Sequence, residues 1–199
     1  MQTAALGTIC LIALTACSGA SSRATYGAGD ANLAAANPGG GTINPFLTNG
    51  DAVLRALDGI AGRSGRPFRV TSISADRTNG LMVNVQEPAH HANVDRYVVT
   101  PDGTLNGPEP VKLMSLDGGP ITAAKVDART FDPKAVGFAN LTATAREAIA
   151  KSGYSDARVT EWDIEGILPD DRRFIYLESA RARPSAEVNS QLKIVGMHY

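Results

Sequence analysis

The chain has 199 residues, of which 43% are hydrophobic, and its 19 Lys and Arg and 20 Asp and Glu leave a net charge of −1. Neither sign is concentrated in one block, so the composition excludes the basic surface typical of nucleic-acid binding and the polybasic surface typical of peripheral membrane binding. The length allows one large or two small hydrophobic cores.

The N-terminal residues have the pattern of an export signal. An apolar run over residues 4–13 is interrupted only by Gly7 and Thr8, and no Lys or Arg precedes it. The run has the length of a signal-peptide core and is shorter than the roughly 20 residues of a membrane span. We therefore predict that residues 1–16 are removed from the mature protein.

The segment Leu14-Thr15-Ala16-Cys17 directly follows this run and resembles the lipobox of bacterial lipoproteins. The resemblance implies cleavage before Cys17, acylation of that cysteine, palmitate included, and stable anchoring in a membrane. By the same resemblance, Ser18 rather than Asp after the cysteine implies the periplasmic side of the outer membrane if the source is Gram-negative. Two alternatives are a conventional secretory signal that leaves Cys17 a free thiol, and a buried first helix of a cytosolic protein.

The residues after the lipobox do not have the composition of a fold. Residues 17–45 are rich in Gly, Ala, Ser and Asn, and such a segment buries too little apolar surface to order itself. We predict a flexible tether whose ends lie on the order of 30 Å apart.

The rest of the chain contains an internal repeat. A helix is predicted over residues 51–63 after an N-cap at Thr48 or Asn49, and a second helix from Asp132-Pro133 to a stop at Gly153. One offset of 89 residues relates the two copies. The matched residues are Ala56 with Ala145, Ile60 with Ile149, and Arg69-Val70-Thr71 with Arg158-Val159-Thr160.

Short alternating segments follow each helix and predict antiparallel strands. The predicted strands of the first copy are residues 69–75, 81–85 and 97–100, with a further one at 111–114, and those of the second copy are residues 158–164, 174–176 and 192–197. Local helix-then-strands order favours helices on one face of antiparallel sheets.

We therefore predict an α+β fold of two similar αβββ halves, residues 46–116 and 131–199, joined by residues 117–130. The order of elements over residues 46–199 resembles PepSY-like domains and the tandem fold of β-lactamase inhibitor proteins. The second resemblance implies a regulatory role toward a periplasmic hydrolase. No residue motif of either family is present, so no binding residue is carried over.

The histidines are the first candidate metal ligands. His90 and His91 are adjacent in a predicted loop, and His198 lies near the C-terminus. Adjacent side chains of an extended segment point to opposite sides, whereas a metal site needs ligands that converge. We interpret them as polar loop residues and expect no metal site.

Four carboxylates are the candidates for acid–base chemistry: Asp163, Glu165, Asp170 and Asp171. Asp163 and Glu165 alternate and are predicted to share one strand face, where paired carboxylates can differ in pKa. Because Arg172 and Arg173 adjoin them, a solvated hairpin is the preferred interpretation.

The aromatic residues Phe68, Trp162, Phe174 and Tyr176 fall on predicted strands and are assigned first to the core, with an exposed ligand surface around Trp162 as the alternative. Ser64 lies in a Gly-Arg-Ser-Gly segment without the glycine spacing of a nucleophile elbow, and is assigned to a helix end. Tyr199 is expected to end a strand.

The sequence thus favours a lipid-anchored, non-enzymatic envelope protein that binds another protein, without a cofactor and without nucleic acid. The competing hypothesis is a periplasmic enzyme, or a carrier of a small molecule or metal, that uses His90, His91 and the carboxylates near Asp163.

Overall fold

The computed structural model describes residues 44–113, 119–166 and 173–199, so Cys17, the lipobox and residues 17–43 of the predicted tether lie outside the described residues. The described strands are β1 (Val70–Asp76), β2 (Gly80–Gln86), β3 (Val94–Val99), β4 (Leu105–Pro110), β5 (Arg158–Glu165), β6 (Arg173–Glu178), β7 (Ser185–Val188) and β8 (Ile194–His198). They form one antiparallel sheet in the order β4-β3-β2-β1-β5-β6-β7-β8. The predicted α+β class is confirmed.

In the described ranges three α-helices accompany the sheet: α1 (Gly50–Ser64), α2 (Ala123–Asp127) and α3 (Leu141–Ser152). The Asn49 side chain accepts a hydrogen bond from the Ala52 N–H at 3.1 Å and so caps the start of α1. α3 ends at Gly153, whose φ of 77° is the left-handed conformation that glycine adopts without strain. No helix within the described ranges is long and apolar enough to cross a bilayer.

The start of the second helix differs from the prediction. Asp132 caps only a 3-10 turn, Pro133–Ala135, by accepting from the Lys134 N–H at 2.9 Å. The chain then becomes extended at Val136 and turns at Gly137, where an added Cβ would lie 2.7 Å from the Gln191 carbonyl oxygen. This close backbone approach interrupts the helical path, and α3 begins only at Leu141.

Within the described residues each half contains four strands, whereas four were predicted for the first half and three for the second. The fourth strand of the first half is β4, not residues 111–114; residues 111–113 are not strand, and Met114 lies outside the described residues. In the second half, the predicted third strand corresponds to β8, and β7 was missed. Both missed strands are short and lack a run of alternating apolar residues, β4 because it contains glycine and prolines.

The helices α1 and α3 pack on the same face of the sheet and share one core with both halves. Its fully buried large side chains include Phe46 and Phe138, which lie before α1 and α3, and Trp162 of β5. The indole Nε1 of Trp162 donates to the Phe46 carbonyl oxygen at 2.9 Å, and the Phe138 and Trp162 rings lie 5.7 Å apart. The predicted tether is therefore too long at its end, because Asn44 is buried and caps the 3-10 turn Pro45–Leu47, so both Asn44 and Pro45 belong to the fold.

The two halves meet where β1 pairs with β5. In this register Ser74 lies opposite Asp163, and these two residues are separated by the same 89 positions that relate the repeats. Equivalent residues of two antiparallel strands can face each other only at a two-fold axis. The pair Ser74–Asp163 therefore marks a local pseudo-two-fold axis at the centre of the sheet.

Candidate functional site

The sheet face opposite α1 and α3 carries the most distinctive side chains of the described chain. Because side chains alternate along a strand, the residues between the buried Trp162, Ile164, Ile175 and Leu177 point to this second face. We call the following group the acidic-aromatic face: Glu161, Asp163 and Glu165 of β5, and Phe174 and Tyr176 of β6.

Asp163 lies at the centre of this face. Its Oδ1 is buried and has no hydrogen-bond partner. Burial, and then the negative charge of Glu165, raise the pKa of the Asp163 carboxyl to about 6. A hydrogen bond from the backbone N–H of Phe174 lowers this pKa and offsets part of the shift. Asp163 and Glu165 share one face as predicted, yet Asp163 is half-buried and is not a solvated hairpin residue.

The aromatic part of the face borders the carboxylates. The Phe174 ring lies 5.9 Å from the Tyr176 ring and 5.8 Å from the His198 ring, between centroids. Burial, and then the charges of Asp163 and its neighbours, raise the pKa of the Tyr176 hydroxyl above its ordinary value. The assignment of Phe174 and Tyr176 to the core was wrong, because strand periodicity predicts that residues alternate but not which set faces the helices. Trp162, by contrast, is only 2% exposed and belongs to the core.

The first half provides an internal comparison for this face. The positions equivalent to Glu161, Asp163 and Glu165 by the 89-residue offset are Ser72, Ser74 and Asp76. Asp76 is held in the β1–β2 turn by hydrogen bonds from Thr78 and Asn79. The row of three alternating carboxylates is therefore a property of the second half and not of the fold.

Basic side chains lie at both ends of the acidic row. At one end Glu178 pairs with Arg77 at 2.7 Å, Arg158 at 3.2 Å and Arg183 at 3.6 Å. Hydrogen bonds from Arg158 and Arg77 lower the pKa of the Glu178 carboxyl. At the other end, a largely apolar pocket of about 150 Å³ is lined by Ser72, Glu165, Lys125, Val126 and Arg129, among others.

The histidines do not converge on the carboxylates of β5. His90 Nδ1 lies 2.7 Å from Glu87, His91 Nδ1 lies 3.1 Å from Asp127, and His198 Nε2 lies 3.3 Å from Glu187. Each histidine thus contacts a different carboxylate. Across the described part of the chain, no group of three or more His, Cys, Asp or Glu is arranged to hold a metal ion.

The other residues singled out in the sequence lie in separate parts of the chain. Ser64 ends α1, as predicted, and Phe68 packs partly buried against the core. Tyr199 follows β8 and its side chain is 79% exposed. Asp170, Asp171 and Arg172 lie outside the described residues, as does Cys17.

Comparison with known proteins supports the fold through one solved structure. No protein-family model matches the chain, and no curated protein does. A crystal structure of a candidate lipoprotein from Clostridium difficile 630 matches with a TM-score of 0.51 and 15% identity, over 73% of this chain and 91% of that one. At this identity the likeness concerns the fold alone, and the resemblance to PepSY-like domains continues to rest on the order of elements.

Proposed function

We propose that the chain is a lipid-anchored envelope protein that binds another protein through the acidic-aromatic face and catalyses no reaction. The anchor rests on the lipobox at Leu14–Cys17, and the structural likeness to a protein described as a candidate lipoprotein agrees with it. Ser18 favours the outer membrane, facing the periplasm, in a Gram-negative source.

The observation that carries the binding proposal is the charge distribution of the two halves. Carboxylates alternate at three successive positions of β5, where the equivalent positions of β1 carry two serines and one aspartate tied into a turn. The like charges of Glu161, Asp163 and Glu165 on one face of β5 repel one another, and the buried Oδ1 of Asp163, which has no hydrogen-bond partner, adds to that cost. A basic protein surface would reduce the charge repulsion and would offer hydrogen-bond donors to the unpartnered oxygen.

The aromatic residues add what an interface needs besides charge. Tyrosine and phenylalanine supply large contact areas at low conformational cost, and tyrosine is enriched among residues that dominate binding energy. A partner that presents Lys or Arg would meet ring faces and carboxylates together, and cation–π contacts strengthen as water is excluded. The partner of this proposal is therefore a protein with a basic surface.

The competing hypothesis has less support. An enzyme or metal carrier built on His90, His91 and Asp163 requires these side chains to converge, whereas each histidine contacts another carboxylate. For this reason we do not pursue it as a second function.

The anchor is tested by replacing Cys17. In membrane fractionation, the Cys17→Ser chain should move from the membrane to the soluble fraction. Unchanged membrane association would contradict the lipid anchor.

The binding face is tested by crosslinking and affinity purification from envelopes of the native organism, followed by mass spectrometry. Glu161→Lys should reduce the recovery of a basic partner at least tenfold. The matched control is Glu109→Lys, the same change at another exposed strand position, on β4, and it should leave recovery unchanged. Equal recovery with Glu161→Lys and the parent chain would refute the proposed face.

A further inference from the structure

The two edge strands of the sheet occupy equivalent places in the two halves but differ in sequence. β4 and β8 are the last strands on either side, and residues 105–110 match 194–199 at the repeat offset. The aligned pairs after Leu105 and Ile194 are Asn106 with Val195, Gly107 with Gly196, Pro108 with Met197, Glu109 with His198, and Pro110 with Tyr199.

β4 has the features with which proteins protect a sheet edge from further pairing. Pro108 and Pro110 lack the N–H that a further strand would need, and Glu109 adds an exposed charge. A bulge, at the register shift opposite Tyr97, interrupts the strand as well. These features together prevent a new strand from pairing along β4.

β8 lacks most of these features. It contains no proline and no acidic residue, and among the described residues its outer side has no strand partner. A bulge at Val195 is the only device it shares with β4. The exposed large hydrophobic side chains of the described chain are both here, Val195 at 62% and Tyr199 at 79%.

We infer that β8 pairs antiparallel with β8 of a second copy of this chain, so that two sheets join edge to edge. Within the described residues the outer side of β8 has no strand partner, so its main-chain N–H and C=O groups can pair with another extended backbone. A second copy supplies one with the same apolar side chains. Pairing of all five residues places Gly196 of one copy opposite Gly196 of the other.

This contact is too small for a stable dimer in dilute solution, since specific interfaces bury about 1,600 Å² and one five-residue strand offers far less. It rests on the proposed lipid anchor, because confinement of tethered copies to one membrane surface raises their effective concentration. We therefore expect pairing on membranes and mostly monomers after release from them.

Disulfide trapping tests this geometry. Gly196 does not have a left-handed φ, and an added Cβ would lie 3.5 Å from the nearest atom, Glu187 Oε2, so Gly196→Cys fits the strand. The full-length acylated chain carrying Gly196→Cys is reconstituted in phosphatidylethanolamine–phosphatidylglycerol vesicles and oxidised mildly. We expect at least ten times more disulfide dimer than with Asn106→Cys on β4, the opposite edge.

A second variant separates strand pairing from chance collision. Val195→Lys places a charge on the exposed edge and should reduce trapping at Gly196→Cys to the level of Asn106→Cys, with an unchanged melting temperature. Trapping equal at the two edges, or unaffected by Val195→Lys, would overturn the inference. Flotation of the vesicles with the bound chain reports the anchor separately, so a failed anchor is not mistaken for failed pairing.

Discussion

Asp163 is a residue whose ionised side chain has an unfavourable environment in the sheet. It lies between Glu161 and Glu165 on β5, and its Oδ1 is buried without a hydrogen-bond donor. The pKa of its carboxyl is about 6 in the folded chain against an ordinary 3.8. The folded protein therefore binds this proton more tightly than the unfolded chain does, and ionisation of Asp163 opposes folding.

The sign of this linkage predicts a pH dependence. The contribution of Asp163 to stability is complete below about pH 4 and is lost as the pH rises through about 6. A shift of this size corresponds to about 3 kcal/mol without screening, and to about 1 kcal/mol once partial solvent exposure is allowed for. Urea unfolding measures this effect. Relative to the parent, the free energy of unfolding of Asp163→Asn should be about 1 kcal/mol higher at pH 7.5 than at pH 4.

Ser74 provides the control, because it lies opposite Asp163 in the sheet and does not titrate in this range. Ser74→Ala should change the free energy of unfolding by the same amount at both pH values. A pH-independent difference for Asp163→Asn would mean that the carboxyl is not strained in the folded chain.

At the scale of elements, the helices and the first strand of each half could be predicted from the sequence, because their caps and apolar periodicity are local signals. The start of α3 could not, since the turn at Gly137 depends on the backbone at Gln191, which is distant in sequence. β4 and β7 are strands because neighbouring strands offer them hydrogen-bonding partners. The candidate site was predicted only in part: Asp163 and Glu165 were placed on one strand face, whereas Phe174 and Tyr176 were assigned first to the core.

Two glycines of the helices should respond in opposite directions to the same substitution. Gly62 lies inside α1 and an added Cβ there meets nothing within 4 Å, so Gly62→Ala should stabilise the protein by about 1 kcal/mol through helix propensity. Gly153 has a φ of 77°, where a Cβ is strained. Gly153→Ala should destabilise by about 1 kcal/mol.

Chemical denaturation at neutral pH measures both changes, and only the midpoint, not the slope, should move. If Gly153→Ala were as stable as the parent chain, α3 would not end in the left-handed conformation described for it.

For the whole molecule, the repeat does not divide the core. Leu57 of α1 and Leu141 of α3 belong to one cluster that also contains strand residues of both halves. Strands β1 and β5 join the two halves by an antiparallel ladder at the centre of the sheet. The two copies should therefore unfold together.

Calorimetry of the Cys17→Ser chain should show one transition whose calorimetric and van't Hoff enthalpies agree. Leu57→Ala and Leu141→Ala should each lower that same transition, with a loss of about 2–5 kcal/mol. Two separate transitions, each sensitive to only one of the substitutions, would show that the halves are independent domains.

The pair Ser74–Asp163 on the pseudo-two-fold axis bears on the history of the chain. Had the halves once been identical polypeptides that assembled in pairs, any aspartate at this position would have faced its own copy across the axis, and two adjacent carboxylates would have repelled each other. Covalent linkage removes that restriction, because one gene then encodes both positions separately. In a fused chain, the acidic row of β5 places no second carboxylate opposite Asp163 on the axis.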